Sequence, residues 1–279
     1  MKKSFLLWLI SFVLTILTAV YQRVTGPTYP VSGEVKLNGQ NIEYKLDRSH
    51  SGDGDHKVEI IVEDPSICGE LLWKRYKTDD AWTSVQMIRD GKKLIASLPH
   101  QPPAGKLLYH IVIQQYDDVV ILPEEKGVII RFKGDVPITF LIPHIIFIFG
   151  AMLLSTRTGL EYFNQGKKYK SLTLLTFIFM IVGGFVLGPI VQYYAFGAFW
   201  TGFPFGHDLT DNKVLIGFIG WLLALIALYK FKNPNRWIIF AAILMFIIFL
   251  IPHSLLGSEL NYNDPDNKSL IETQTGTLK

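Results

Sequence analysis

Apolar residues along this chain gather into five runs, 5–21, 138–154, 171–191, 214–229 and 237–256, and a long polar stretch separates the first run from the other four. Each run approaches the roughly 20 residues an α-helix needs to cross the hydrocarbon core of a bilayer, with flanking residues completing the shorter ones. Between 26 and 136 the period changes. Apolar and polar residues alternate in Glu34-Val35-Lys36-Leu37, Val58-Glu59-Ile60-Ile61-Val62, Leu71 to Tyr76, Leu107 to Ile113 and Val128 to Phe132. Turn residues punctuate them at Asn38-Gly39, 51–54, Asp90-Gly91 and 102–105, so the stretch predicts short strands joined by tight turns. About seven strands in this length predict a β-sandwich.

Charge gives these elements an orientation. Lys2 and Lys3 precede the first run, and the residues after it offer Ala19 but no small-x-small cleavage site, so the run is expected to be an uncleaved signal anchor. Arg157, Lys167, Lys168 and Lys170 lie between the second and third runs, and Lys230, Lys232 and Arg236 between the fourth and fifth. The loop 192–213 holds only Lys213. By the positive-inside rule both basic linkers face the cytoplasm with the N-terminus, and the ectodomain and C-terminus face the periplasm. The expected division is an anchor helix 1–23, a periplasmic β-domain 24–136, a four-helix transmembrane bundle 137–258 and a polar tail 259–279 expected to be disordered. Within the bundle, Gly183, Gly184 and Gly188 form a small-residue face, Pro189 is expected to kink its helix, and Arg157 and Glu161 read as a surface pair.

Composition excludes more than it assigns. The net charge of +3 comes from lysines and arginines clustered beside apolar runs, which is a topology signal and predicts no nucleic-acid partner. Cys68 is the only cysteine, which rules out an intrachain disulfide and a cysteine-based metal centre.

The chemistry is concentrated on the expected outer face. The tetrapeptide Leu-Ile-Pro-His occurs twice, ending at His144 and at His253, and the loop between the third and fourth runs carries His207, Asp208, Asp211, Asn212 and Lys213. With Ser254, Ser258 and Glu259 nearby, three uses fit this group. His144, His207, Asp208 and His253 are suitable ligands for a transition metal. His144 and His253 could be axial ligands of haem b, packed by Trp200, Phe199, Phe203 and Tyr194. A proton-linked or quinone pocket is the third use. Opposing these, Asp211-Asn212 also reads as an N-cap for a helix starting near Lys213. In the β-domain, His50, Asp53, Asp55 and His56 lie in one loop that could hold a calcium ion or a transition metal, but it lacks the EF-hand pattern and reads as a solvated turn, and His100 and His110 read as structural.

Leu98-Pro99 followed by Tyr109-His110-Ile111-Val112 resembles the approach to strand F of immunoglobulin-like and fibronectin-type domains, where a corner tyrosine ties the strand to the preceding loop. The Cys…Trp…Cys pattern of true immunoglobulin domains is absent. The whole arrangement, with GAFWTGFPFGHDLTDNK and IPHSLLGSE, resembles bacterial inner-membrane proteins to which no activity attaches, and the resemblance implies architecture only. The expected fold is therefore a membrane α-helical bundle of five transmembrane helices with an inserted all-β, Ig-like sandwich ectodomain. The expected function is a periplasm-facing His/Asp site binding a metal, haem or quinone, in an accessory subunit or maturation factor of a redox complex. The alternative is a non-catalytic interaction or assembly protein that docks a membrane or periplasmic protein through its β-domain, with Trp73, Tyr76 and Trp82 among the contacts if they are exposed. In either case the lipid bilayer is a partner. A transporter lacks an inverted repeat here, and a hydrolase lacks a motif.

Overall fold

The computed structural model of the chain describes residues 2–124, 126–255, 257 and 259–264. Two compact units emerge. One takes the chain up to Pro27 and again from Val136 through the last helix; the other runs Thr28–Asp135 and takes in 259–264.

The first unit is helical. α1 (Lys2–Thr25) is followed, after the β unit, by α2 (Ile138–Leu160) with a 3-10 turn at Glu161–Asn164, α3 (Tyr169–Met180), α4 (Gly188–Phe196), α5 (Leu209–Lys230) and α6 (Asn235–Leu250). A π-helical segment, Ile181–Leu187, joins α3 to α4 as one 28-residue helix. Pro189 follows directly. Having no N–H to give and a ring that would strike the carbonyl four residues back, it favours a looser turn at this point over a sharp kink. Four helices, Lys2–Thr25, Ile138–Asn164, Tyr169–Phe196 and Leu209–Lys230, are long and apolar enough to cross a membrane, whereas α6 has 16 residues.

The two Leu-Ile-Pro-His copies do not form the same structure. Pro143 is tolerated near the start of α2, where it forfeits one helical bond. Pro252 instead ends α6, because the residue before a proline is pushed out of the helical region, and Ile251 is extended with ψ 121. The expected run to 256 is thus cut at Leu250.

Close packing in this unit relies on small residues. A Cβ at Gly183 would stand 3.0 Å from the Ile148 nitrogen on α2, and one at Gly184 would stand 2.6 Å from Val214 on α5. The glycine face therefore admits two neighbours. α1 buries Leu7, Ser11, Thr15 and Thr18, and the three hydroxyls each donate to the carbonyl four residues back, so this stripe carries no unanswered donor.

Among the described residues the second unit has eleven strands: β1 (Val31–Leu37), β2 (Gln40–Leu46), β3 (Ser49–Ser51), β4 (His56–Ile61), β5 (Cys68–Arg75), β6 (Thr83–Gln86), β7 (Ile88–Asp90), β8 (Lys93–Leu98), β9 (Lys106–Gln115), β10 (Asp118–Leu122) and β11 (Val128–Lys133). β1 and β2 form a hairpin turned by Asn38 and Gly39, both with positive φ. One sheet has the order β3-β11-β9-β5-β6 with β10 also paired to β9, and another the order β4-β8-β7. All pairs are antiparallel except β3 with β11. Every second residue of β9, Leu107, Tyr109, Ile111 and Ile113, is fully buried, and these meet Val58, Ile60, Leu94 and Leu98 in one core.

Tyr109 does act as a tie, but to a different place than the resemblance implies. Its hydroxyl donates to the Asp47 carbonyl at 2.8 Å, between β2 and β3, and not to the loop before its own strand. The start of the polar tail is also attached. Tyr262 is buried, its hydroxyl accepts from the Lys106 amide at 2.9 Å, and Glu259 pairs with Lys77 and Lys106. Residues 265–279, the rest of the tail expected to be disordered, lie outside the described residues, as does Ser258.

Asp64 fastens the loop between β4 and β5. It accepts from the Ser66 hydroxyl and amide at 2.6 and 2.8 Å and from Gln40 and Gln115 at 2.9 Å. Those bonds favour the carboxylate and hold it at about 2, with Ser66 as the largest cause. A depressed folded value contributes stability above the unfolded value near 3.9 that is lost as pH falls toward about 2. Asp64→Asn should flatten the pH dependence of thermal unfolding in that window, and an unchanged slope would remove Asp64 as its source.

Candidate functional site

The outer-loop residues are held by their own chain. Asp208, not Asp211-Asn212, is the N-cap of α5; its Oδ1 accepts from the Thr210 amide at 2.7 Å and the Asp211 amide at 3.4 Å, so the helix starts at Leu209. Asp211 then turns back into the loop. Its Oδ2 accepts from the Thr201 and Gly202 amides at 2.7 and 3.0 Å and from Gln192 at 3.1 Å. Asn212 accepts from the Phe203 amide at 2.7 Å. Gly202 is required here, because a Cβ would stand 2.6 Å from that of Asp211. On the same side, Lys213 donates to the Ile251 carbonyl at 2.9 Å and Thr210 accepts from the Ser254 amide. These bonds tie the end of α6 to the start of α5.

The candidate ligands are distributed around this fastening. His144 is half-buried inside α2 and its Nδ1 lies 2.9 Å from the Gly183 carbonyl, at the π-helical segment. A carbonyl only accepts, so Nδ1 carries the proton and the lone pair is on Nε2. The ring passes over Gly188, whose added Cβ would stand 3.6 Å from it. His207 and His253 are both exposed, the first in the loop and the second beyond the end of α6. The aromatic residues pack on one another or on the helices: Trp200 stacks on Phe185, Phe199 on Tyr193 and Tyr194 on Phe140. Among the described residues no three His, Cys, Asp or Glu side chains gather closely enough to hold a metal ion.

A second polar centre lies in the same unit, where the sequence suggests only a surface pair. Arg157 and Glu161 are completely buried, with Nη1 2.6 Å from Oε2. The Arg157 guanidinium also lies 5.4 Å from the Trp8 ring and donates to Ser4. The second oxygen of Glu161 accepts from Asn164 at 2.8 Å and from the Lys168 amide at 3.0 Å. Glu161 therefore closes the linker before α3 and pairs the arginine at once. In the same unit Ser155, Thr173, Tyr169 and Trp221 are buried with polar atoms that find no hydrogen-bond partner among the described residues. The signal that could have exposed the pair is an arginine continuous with an apolar run; ionisable groups there are expensive and are a functional candidate by default. Gln192, another polar residue at the end of an apolar run, was overlooked in the same way.

In the β unit, Trp73 is partly buried against the core, paired with Tyr109 across the sheet. Tyr76 lies between Lys77 and Lys106, and Trp82 lies exposed over His110.

Comparison with known protein families and with curated proteins finds no match for this chain.

Breaking a buried ion pair leaves an uncompensated charge and costs about 3–5 kcal/mol, whereas replacing both partners by apolar residues costs far less. Arg157→Ala and Glu161→Ala should each lower the unfolding temperature in detergent sharply, and Arg157→Met with Glu161→Leu should restore most of it. If the single variants unfold like the wild type, the pair is not buried.

Proposed function

We propose that the chain is an integral protein of a bacterial cytoplasmic membrane, with five transmembrane helices and a cytoplasmic N-terminus, acting as a membrane-anchored interaction or assembly protein. Its β unit is read as an immunoglobulin-like sandwich on the periplasmic side. The observation that carries this reading is an apolar strip on the outward face of the larger sheet. Register places Ile121 opposite Val112 and His110 opposite Leu72, with Leu108 and Ile129 opposite each other one step further along. Val119 and Ile121 are 54% and 48% exposed, and Trp82, 42% exposed, covers His110. An exposed apolar strip of this kind is what a protein partner covers. The outer loop gives support from the other direction, since its acids and amides are consumed in holding α4, α5 and α6 together.

One observation favours a second reading, the expected cofactor site. His144 is fixed through Nδ1 to a backbone carbonyl, and a bond of that kind is how ligating imidazoles are oriented with Nε2 presented. It lies beside a π-helical segment, a feature frequent at functional sites. In this reading His144, with His253 or His207 and Asp208, binds a metal, haem b or a quinone.

Photo-crosslinking in native membranes separates the two. A reactive residue placed at Ile121 or Trp82 should give a discrete adduct that the same residue at Lys57, on the other sheet, does not. Equal labelling from all three positions, or none, would contradict the docking reading. For the cofactor reading, the purified protein should show a Soret band or stoichiometric metal that His144→Ala with His253→Ala removes; a colourless, metal-free protein leaves only a quinone for this site.

A further inference from the structure

A different pair of histidines, in the β unit, has the geometry of a chelate. His50 lies in the middle of β3 and His56 opens β4, and the glycine-rich loop between them folds so that their two Nδ1 atoms lie 3.2 Å apart. Two nitrogens bound to one tetrahedral metal at about 2.0–2.1 Å stand about 3.3 Å apart. The rings meet edge to face with centroids 5.1 Å apart.

The orientation of His50 is set from outside the pair. Its Nε2 lies 3.1 Å from the Gly54 carbonyl, which only accepts, so Nε2 carries the proton and Nδ1 of the neutral ring presents a lone pair. This is the outer bond that commonly fixes a ligating histidine. His100 reaches the same carbonyl through its Nδ1 at 3.1 Å, and its amide donates to Asp55 at 2.8 Å, so the loop is braced from a second strand connection. Gly52 and Gly54 have φ of 87° and 107°, which lets the loop make the reversal that brings the rings together. Phe132 backs both His50 and His100.

We propose that His50 and His56 bind a divalent transition-metal ion of the zinc, copper and nickel class through their Nδ1 atoms, with water completing the coordination. Two imidazoles select this class over calcium or magnesium, which require oxygen ligands. As it stands, the Nδ1 proton of His56 fills the gap, donated to His50. On metal binding that proton leaves Nδ1 and the ring takes up another at Nε2 from solvent, so the histidine stays neutral and no net proton is released. His56 is nearly buried and His50 half-buried, so the ion enters from the His50 side. Beside the loop a pocket of about 530 Å³, lined by Asp53, Asp55, His100 and Lys133, opens to solvent. The site uses none of the residues of the outer-loop cluster, so it stands or falls apart from the readings above.

The test uses the full chain, free of any histidine tag, in detergent and stripped with a chelator. Calorimetric titration with Zn2+ should show saturable binding of one ion. His50→Asn and His56→Gln should each weaken it by at least about tenfold, the scale on which losing even a supporting group acts. The spectrum of Cu2+ bound to the wild type, which needs no variant to fold, should show two coupled imidazole nitrogens. Absence of saturable Zn2+ binding, equal affinity in the His50 and His56 variants, or a Cu2+ spectrum without two imidazole nitrogens overturns the proposal.

Discussion

A charged or hydrogen-bonding group surrounded by apolar side chains must be answered by the chain itself, and the helical unit is arranged around that requirement. Asp211 collects two amides and a glutamine side chain from the loop that precedes it, and so decides where the loop lies. Glu161 takes an arginine on one oxygen, and an asparagine and an amide on the other, and so decides how α2 turns into α3. Each acid sits at one of the connections between helices, where backbone groups lack helical partners. Remove either, and the connection loses the acceptor that several donors share.

The β unit meets the same requirement by other means. Its strands answer one another's amides and carbonyls, and its core is filled by alternate residues of β4, β5, β8, β9 and β11. Polar ties secure the places where strands end: Asp64 across the β4–β5 loop, Tyr109 to Asp47, and Tyr262 to Lys106. The His50–His56 contact belongs to this group of ties, with the difference that both its partners are also metal ligands by nature.

How much of this could be read from the residues follows from what repeats. Alternation marks β1, β4, β5, β9 and β11, and Asn38-Gly39 and Asp90-Gly91 mark their turns, because period and turn chemistry are local. The short β3, β6 and β7 lack enough residues to show a period, and β10 is an apolar run without alternation. The extent of α6 was misjudged because hydropathy does not register that Pro252 forces Ile251 out of the helix, while Pro143, near a helix start, does no such thing. Arg157 and Glu161 were misplaced for a deeper reason. Four-residue spacing is the same for a solvated pair and a buried one, and only the packing of α1 against α2 distinguishes them. The histidine convergence read from the two Leu-Ile-Pro-His copies depended on both copies being helical, and one is not.

The central claim, a membrane-anchored protein with its β unit outside the cytoplasm, can be tested on the chain as it stands, because Cys68 is its only cysteine and is exposed on β5. Intact spheroplasts treated with a membrane-impermeant maleimide should label Cys68 without permeabilisation, and Cys68→Ser should abolish the signal. Labelling that appears only after lysis would place the β unit in the cytoplasm and contradict the account.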